Sequence, residues 1–175
     1  LLQPVTLEWW GVFDNPSDVA GTINTFRARF PHVTINYRKL RFEEYEDKLL
    51  EALAEDRGPD IFALPNTWLR GYLPKIEQLP PQTVMATQRI KETLGVKKDV
   101  IVERVNIPSL TSADIRTRFL QVVNDDVVIG DQVYGLPLAV DTLALFYNRD
   151  LLDNASIALP PKSWREFQDA VKRLT

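Results

Sequence analysis

The stretch "DQVYGLPLAVDTLALFYNRDLL", residues 131–152, decides how this chain is expected to fold. A Gly-x-Pro break lies near its start, an apolar run follows, and one acid, Asp141, interrupts that run. An unpaired carboxylate within an apolar strand is costly unless it reaches water or a ligand. Two interpretations are open at this point: an ordinary strand with an exposed edge residue, or a strand that crosses between two lobes and carries a ligand contact.

Upstream of this stretch, apolar segments of period two alternate with amphipathic helical stripes. Asn15 and Pro16 provide a cap and a first position for one helix, and Phe42 opens the apolar stripe of the next. Such alternation predicts an α/β fold with a mainly parallel sheet. The predicted strands are residues 5–9, 33–37 and 61–64.

The middle of the chain gives weaker signals. "TVMATQRIKETLGV", residues 83–96, is predicted to be helical, and "DVIVERVNI", residues 99–107, is either a strand or irregular. The segment 111–126 is predicted to be one helix with Ile115, Phe119 and Val122 in phase.

Two short signals complete the pattern. The "IGDQ" turn within residues 127–138 predicts a β-hairpin. Ser163 with Glu166 predicts the capping box of a last helix, whose apolar face nothing further along the chain would cover.

Composition excludes several classes of protein. With 45% hydrophobic residues the chain of 175 residues should form a true core, and a net charge of −3 gives no basic face for nucleic acid. There is no cysteine, which excludes disulfides and thiolate metal sites. His32 is expected in an exposed loop, and the acids of "NDDVVIGD" lack the spacing of a calcium loop. No metal and no cofactor are therefore predicted.

Motifs for nucleotide or hydrolytic chemistry are absent as well. The sequence contains neither a dinucleotide-binding nor a Walker-type glycine loop, and no Gly-x-Ser-x-Gly elbow. Asp14 and Asp141 could be imagined as the carboxylate pair of a glycosidase, which would need a separation that a sequence does not reveal. A carbohydrate-active hydrolase is kept as the alternative function.

Aromatic residues recur where the predicted strands end. Trp10 and Phe13 follow the first strand, and Trp68 follows the third. Ligands of open α/β sheets bind beyond the carboxyl ends of the strands, where an exposed aromatic face can stack on a sugar ring. For Trp10 and Trp68, ligand contact and core packing are both open interpretations, whereas Trp9 and Trp164 are assigned to the core.

The order "VTLEWWG", "GPDIFAL", "DQVYGLPLAVDTLALFYNRDLL" and "PPKSWREFQDAVKRL" resembles the extracellular solute-binding proteins of ABC importers, the group that includes maltose-binding protein. The resemblance spans nearly the whole chain and is weakest at residues 82–106, interpreted as a family-variable insertion. It implies a periplasmic-binding-protein-like, type II architecture of two α/β lobes, with a solute held between them by hinge closure. The predicted domains are residues 1–139, the first lobe without its later segment, and residues 140–175, the hinge crossing and the start of a truncated second lobe.

The resemblance also implies a set of ligand contacts. The loops after the first and third strands match the family's ligand loops, and Asp141 falls at the first crossing strand. Thr67 and Trp68 replace the acid and arginine of the maltose-type proteins, which argues against maltodextrin as the solute. The implied ligand-binding residues are Trp10, Phe13, Asp14, Asn66, Thr67, Trp68 and Asp141.

The expected function is capture of a solute, a saccharide or a similar polar molecule, and its delivery to the transmembrane subunits of an ABC permease. A non-sugar solute is a second alternative. The protein is expected to be a non-enzymatic monomer outside the cytoplasm, in the periplasm or anchored as a lipoprotein. The signal segment is expected to lie outside this sequence, and the chain is interpreted as an N-terminal fragment of the family pattern.

Overall fold

The structure, a computed structural model, describes residues 2–93 and 97–174. The chain divides into two units, Leu1–Pro137 and Leu138–Thr175. The predicted boundary between residues 139 and 140 lies close to this division. The assignment of the two units to the lobes of a binding protein stays a prediction.

The first unit contains a parallel sheet of three strands. Strand β1 is Val5–Gly11, β2 is Val33–Lys39 and β3 is Ile61–Phe62, and the strand order is β2-β1-β3. Strand β1 pairs along its whole length with β2 and pairs at Trp9 and Trp10 with β3. The prediction of a parallel α/β arrangement is confirmed for this part of the chain.

Two helices provide the crossovers between these strands. Helix α1, Pro16–Arg29, starts where predicted: the main-chain N–H of Asn15 donates to Asp18 Oδ2 at 2.7 Å, and proline occupies the first turn. Helix α2, Phe42–Ala54, buries Tyr45 and Leu49 completely. Because both crossovers return the chain to the same end of the sheet, the carboxyl ends of all three strands meet at one edge.

The first hydrophobic core lies against this sheet and α2. It draws on strand ends, on α2 and on a short helix α3, Leu69–Tyr72, that follows β3. Its buried members are Trp10, Val12, Leu40, Tyr45, Leu49 and Tyr72.

A long antiparallel ribbon replaces the helix predicted for residues 83–96. Strand β4, Gln82–Thr93, pairs with β5, Lys97–Pro108, from Gln82 opposite Pro108 to Thr93 opposite Lys97. Residues 94–96 lie outside the described residues. The helix prediction is wrong for 83–93. Five of the twelve residues in each strand are β-branched, and such residues favour a pleated pair. The strand interpretation of 99–107 is confirmed.

Residues 111–126 form two helices where one was predicted. Helix α4 is Ser112–Arg118 and helix α5 is Gln121–Val127, with Phe119 in extended conformation between them. The break turns Val123 into the core in place of Val122, which is 51% exposed. The resulting second core is Ile115, Val123 and Val133 with Leu79, Leu110, Phe119, Val127 and Val128 packed around them.

The predicted hairpin after α5 is confirmed. Strand β6, Val128–Ile129, pairs with β7, Gln132–Val133. Gly130 and Asp131 have φ values of +57° and +69°, the left-handed pair that a type I′ hairpin turn requires. Glycine meets this requirement without steric cost, and aspartate is among the residues that tolerate it.

The second unit contains two helices, α6 at Arg149–Asn154 and α7 at Trp164–Leu174. The predicted crossing strand does not form: residues 138–148 are exposed and belong to no helix or strand. A strand needs a neighbour for its ladder of hydrogen bonds, and the described residues of this unit contain no strand.

Helix α7 begins as predicted, since Ser163 Oγ accepts a hydrogen bond from the main chain of Glu166. The assignment of Trp164 to the core is wrong, because its side chain is 82% exposed and contacts Phe167 edge to face. The apolar face of α7 is open in this structure.

Candidate functional site

Three aromatic rings lie in a row where the strands of the parallel sheet end. Phe13 follows β1, Phe42 follows β2 and Trp68 follows β3. The Phe13 and Phe42 centroids are 6.1 Å apart with planes at 28°, and those of Phe42 and Trp68 are 6.0 Å apart at 24°. Phe13 is 74% exposed, Phe42 is 49% exposed and Trp68 is half-buried. We call these three residues the aromatic edge.

The loop that carries Phe13 is held in place from β2. Tyr37 donates its hydroxyl proton to the main-chain carbonyl of Asp14 at 2.9 Å. Lys39 Nζ donates to the carbonyl of Phe13 at 3.0 Å and to Asn15 Oδ1 at 2.9 Å. The loop after β1 therefore has a defined conformation although Phe13, Asp14 and Asn15 are exposed.

The electrostatics of this loop act on Tyr37. Burial raises the pKa of the Tyr37 phenol, and the negative charges of Asp14 and Asp18 raise it further. Tyr37 consequently stays protonated, as its role as hydrogen-bond donor requires.

The turn after β3 presents the last ring of the edge. Residues Asn66–Trp68 form a single 3-10 turn, and the Trp68 ring packs on Tyr72 with centroids 6.3 Å apart and planes at 14°. The Tyr45 hydroxyl donates to the carbonyl of Ala63 at 2.7 Å and so fixes the chain just before this turn. Trp68 thus packs on both Tyr72 and Phe42 and stays half-buried at the edge of the core.

Asn66 bonds to a residue of a distant helix and does not cap its own turn. Pro65 takes the cap position, and no side chain caps the turn. The Asn66 amide instead donates to Asp126 Oδ2 at 2.9 Å, across 60 residues of sequence. Thr67 is exposed on the same turn.

Trp10 is buried in this structure, and its part in ligand binding stays a prediction. Strand β1 extends two residues further than predicted, to Gly11, so Trp10 belongs to the sheet and is 8% exposed in the first core. The guanidinium of Arg38 lies 5.2 Å from the centroid of its ring. Trp9, which was assigned to the core, is the more exposed of the two and contacts Tyr37 edge to face.

The structure therefore brings together most of the predicted contacts of the first unit. Phe13, Asp14, Asn66, Thr67 and Trp68 lie on the loops at the carboxyl edge of the sheet. Asp141 is exposed in the second unit, and its part in a ligand site stays a prediction.

Two residues of the site escaped sequence reasoning. Phe42 was counted as the first member of the apolar stripe of α2, although it follows a strand end just as Phe13 and Trp68 do. That shared position is the signal that could have identified it. Asp126 carries no such signal, because only the folded chain brings α5 to the turn at Asn66.

Two searches of the described residues bear on other functions. Among residues 2–93 and 97–174 no three histidine or acidic side chains are grouped closely enough to hold a metal ion. No helix in the same part of the chain has both the length and the apolar character to cross a membrane.

Comparison with protein families identifies the class. The family model described as bacterial extracellular solute-binding protein matches residues 16–175. The chain belongs to this family of binding proteins, as its sequence resemblance implied.

Individual relatives are more distant. A binding protein of Brucella abortus is 26% identical over 149 residues, which are 84% of this chain and 30% of the relative. A galactooligosaccharide-binding protein of Bacillus subtilis is 29% identical over 117 residues, 66% of this chain and 20% of the relative. This chain thus spans about a third or less of the length of these relatives.

Solved structures confirm the fold. The sugar-binding protein MalE of Xanthomonas citri superposes with a TM-score of 0.59 at 23% identity, covering 97% of this chain and 37% of its own. A family 1 extracellular solute-binding protein of Bifidobacterium longum subsp. infantis gives 0.60 at 17% identity, covering 98% and 37%. The fold is the α/β fold of type II periplasmic binding proteins, and this chain corresponds to part of it, with a truncated first lobe.

Proposed function

We propose that this chain is part of the substrate-binding component of an ABC importer and that it captures a carbohydrate or a similar polar solute at the aromatic edge. The protein then delivers the solute to the transmembrane subunits of a permease, works outside the cytoplasm as a monomer and catalyses no reaction. The observation that carries this proposal is the row formed by Phe13, Phe42 and Trp68.

The geometry of the row suits a sugar ring. Exposed aromatic faces pair with the apolar faces of pyranoses, and a few polar groups beside them provide orientation. Asp14 lies next to Phe13, and Asn66 and Thr67 lie next to Trp68. These side chains supply both acceptors and donors for sugar hydroxyls.

The relatives support the same class of solute. The Bacillus protein is named for galactooligosaccharide binding and the Xanthomonas protein for sugar binding. A carbohydrate is therefore the first class of solute to test here.

Tryptophan fluorescence provides the test, because Trp68 is part of the row. Neutral mono- and disaccharides of glucose, galactose, mannose and xylose are titrated into the protein, and heat of binding is measured in parallel. A binding sugar should change the emission of the wild type. Trp68→Phe should retain measurable heat but lose most of the emission change.

Trp164→Phe is the matched control, since Trp164 is 82% exposed in the other unit. It should keep both the heat of binding and the emission change. If no sugar changes the emission or the melting temperature of the wild type, the carbohydrate assignment is rejected and non-sugar solutes become the first candidates.

A further inference from the structure

The hydrogen bond between Asn66 and Asp126 joins two parts of the first unit that are remote in sequence. Asn66 begins the turn that carries Trp68, and Asp126 is the penultimate residue of α5. The amide nitrogen and the carboxylate oxygen are 2.9 Å apart. Asn66 is exposed and Asp126 is half-buried, so the pair is accessible from the solvent side of the turn.

The charge of Asp126 is not balanced by a neighbouring cation. Asp126 takes part in none of the ion pairs found among residues 2–93 and 97–174. An ionised carboxylate offers about four lone-pair sites, and the described contacts use one of them, for Asn66. Acceptor capacity therefore remains beside the aromatic edge.

Two cations near the ring-bearing loops are engaged elsewhere, whereas Arg70, two residues after Trp68 on α3, is exposed and takes part in no ion pair among the described residues. Lys39 donates to Phe13 O and Asn15 Oδ1, and Arg41 pairs with Glu44 at 3.3 Å. Asp14, next to Phe13, adds a second exposed carboxylate to the same edge of the sheet. The two carboxylates, Asp14 and Asp126, thus outnumber the unengaged cation Arg70 next to these loops.

We propose that Asp126 determines specificity at this site: it selects solutes that donate hydroxyl hydrogen bonds and rejects solutes that carry a carboxylate or a phosphate. This inference rests on the proposed function. Hydrogen bonds to an ionised acceptor are roughly twice as strong as neutral ones, so a sugar hydroxyl gains affinity at Asp126. An anionic group there meets a like charge, a repulsive element of the kind by which binding sites discriminate between partners.

Matched pairs of sugars distinguish two possible roles of Asp126: selecting the solute, or only supporting the turn at Asn66. One pair of probes is α-1,4-galactobiose and α-1,4-digalacturonate, and the other is glucose and glucuronate. Within each pair, the acidic sugar carries a carboxylate wherever the neutral sugar carries a hydroxymethyl group. The dissociation constant of each is measured by calorimetry for the wild type, Asp126→Asn and Asp125→Asn. Asp125→Asn removes the same charge one residue away, where the carboxylate is bound to Gln121.

The wild type should prefer the neutral member of a pair. Asparagine can still accept the Asn66 hydrogen bond, so Asp126→Asn should keep the turn in place. This variant should bind the neutral sugar about tenfold more weakly. Its preference for the neutral over the acidic sugar should fall by tenfold or more. Asp125→Asn should keep the wild-type preference.

The contrary outcomes are distinct. If Asp126→Asn weakens both members of a pair equally, Asp126 only supports the turn and the inference is wrong, while the proposed function stands. A wild type that prefers the uronates overturns the inference as well. If no probe of either kind binds the wild type and the wider sugar panel also fails, the proposed function is rejected and the inference with it.

Discussion

Tyr37 lies across Gly11, and the lack of a side chain at Gly11 is what lets the tyrosine hydroxyl reach the loop after β1. A Cβ atom at Gly11 would come within 2.8 Å of two ring carbons of Tyr37. The hydroxyl then donates to Asp14 O at 2.9 Å. The position of Phe13 in the aromatic edge thus depends on the glycine at the end of β1, two residues before it.

Gly11→Ala should therefore destabilise the protein. Overpacking of a filled site costs about 1–3 kcal/mol, and the ring of Tyr37 has to leave its hydrogen bond to relieve the contact. Urea unfolding measures the change in free energy. Gly21→Ala is the control, because an added Cβ there meets nothing within 4 Å and an alanine within a helix stabilises by roughly 0.5–1 kcal/mol. Equal effects of the two substitutions would contradict the packing argument.

Phe42→Ala should weaken sugar binding about tenfold at little cost in stability. The ring joins Phe13 to Trp68, yet it is 49% exposed, so its removal leaves a gap in the row rather than a cavity in the core. Calorimetric titration with the tightest neutral sugar measures the affinity. Leu50→Ala, on the same helix and 36% exposed, should bind like the wild type. If both variants lose affinity, a general change in helix α2, and not the loss of the Phe42 ring, is responsible.

The free energy of unfolding should fall at alkaline pH through Tyr45. Burial raises the pKa of its phenol, which the hydrogen bond to Ala63 only partly offsets. The folded state thus keeps a proton that the unfolded chain releases near pH 10, so this contribution is complete below about pH 10 and is lost as the pH rises further. Urea unfolding at about pH 8 and about pH 10.5 measures the slope.

Tyr45→Phe should flatten that slope, although it also removes the hydrogen bond to Ala63 and lowers stability at neutral pH. Tyr147→Phe, half exposed in the other unit, should leave the slope unchanged. A slope in Tyr45→Phe as steep as that of the wild type would show that other groups govern the alkaline loss.

Asp141→Asn tests the predicted contact in the second unit. Asp141 is exposed, so the substitution should change the free energy of unfolding by less than about 0.5 kcal/mol. If Asp141 contacts the solute, the affinity for the tightest sugar should fall about tenfold, because a charged acceptor is lost. Asp169→Asn, an exposed acid on α7, is the control. Unchanged affinity in Asp141→Asn would show that this residue lies outside the site. If the wild type cleaves a chromogenic glycoside and Asp141→Asn does not, the alternative function, a carbohydrate-active hydrolase, is favoured.

Local signals in the sequence account for much of the first unit. Asn15 with Pro16 marks the start of α1, and Gly130 with Asp131 marks the hairpin turn, because each pair suits a backbone conformation that few other residues adopt. The alternation of Val33, Ile35 and Tyr37 with polar residues marks β2. The rule that ligands bind where parallel strands end led from these elements to Phe13 and Trp68.

The errors of prediction share one cause. The exposure of Trp9 and Trp10 depends on where β1 ends and on what packs on each face of the sheet. The sequence shows only that the two residues are consecutive. The ribbon at 82–93 depends on a partner strand, Lys97–Pro108, whose paired residues lie 4 to 26 positions further along the chain. Pairing with a distant segment overrides local helical preference.

By itself, the sequence determined the family, the parallel α/β order of the first unit and the loops on which a ligand site would lie, because periodicity, turn chemistry and motifs are local properties of the chain. Only the tertiary structure decided that Phe42 completes the aromatic edge, that Trp10 is buried and that Asn66 binds Asp126. These are contacts between residues far apart in sequence, and they depend on how side chains compete for space and for hydrogen-bond partners once the chain has folded.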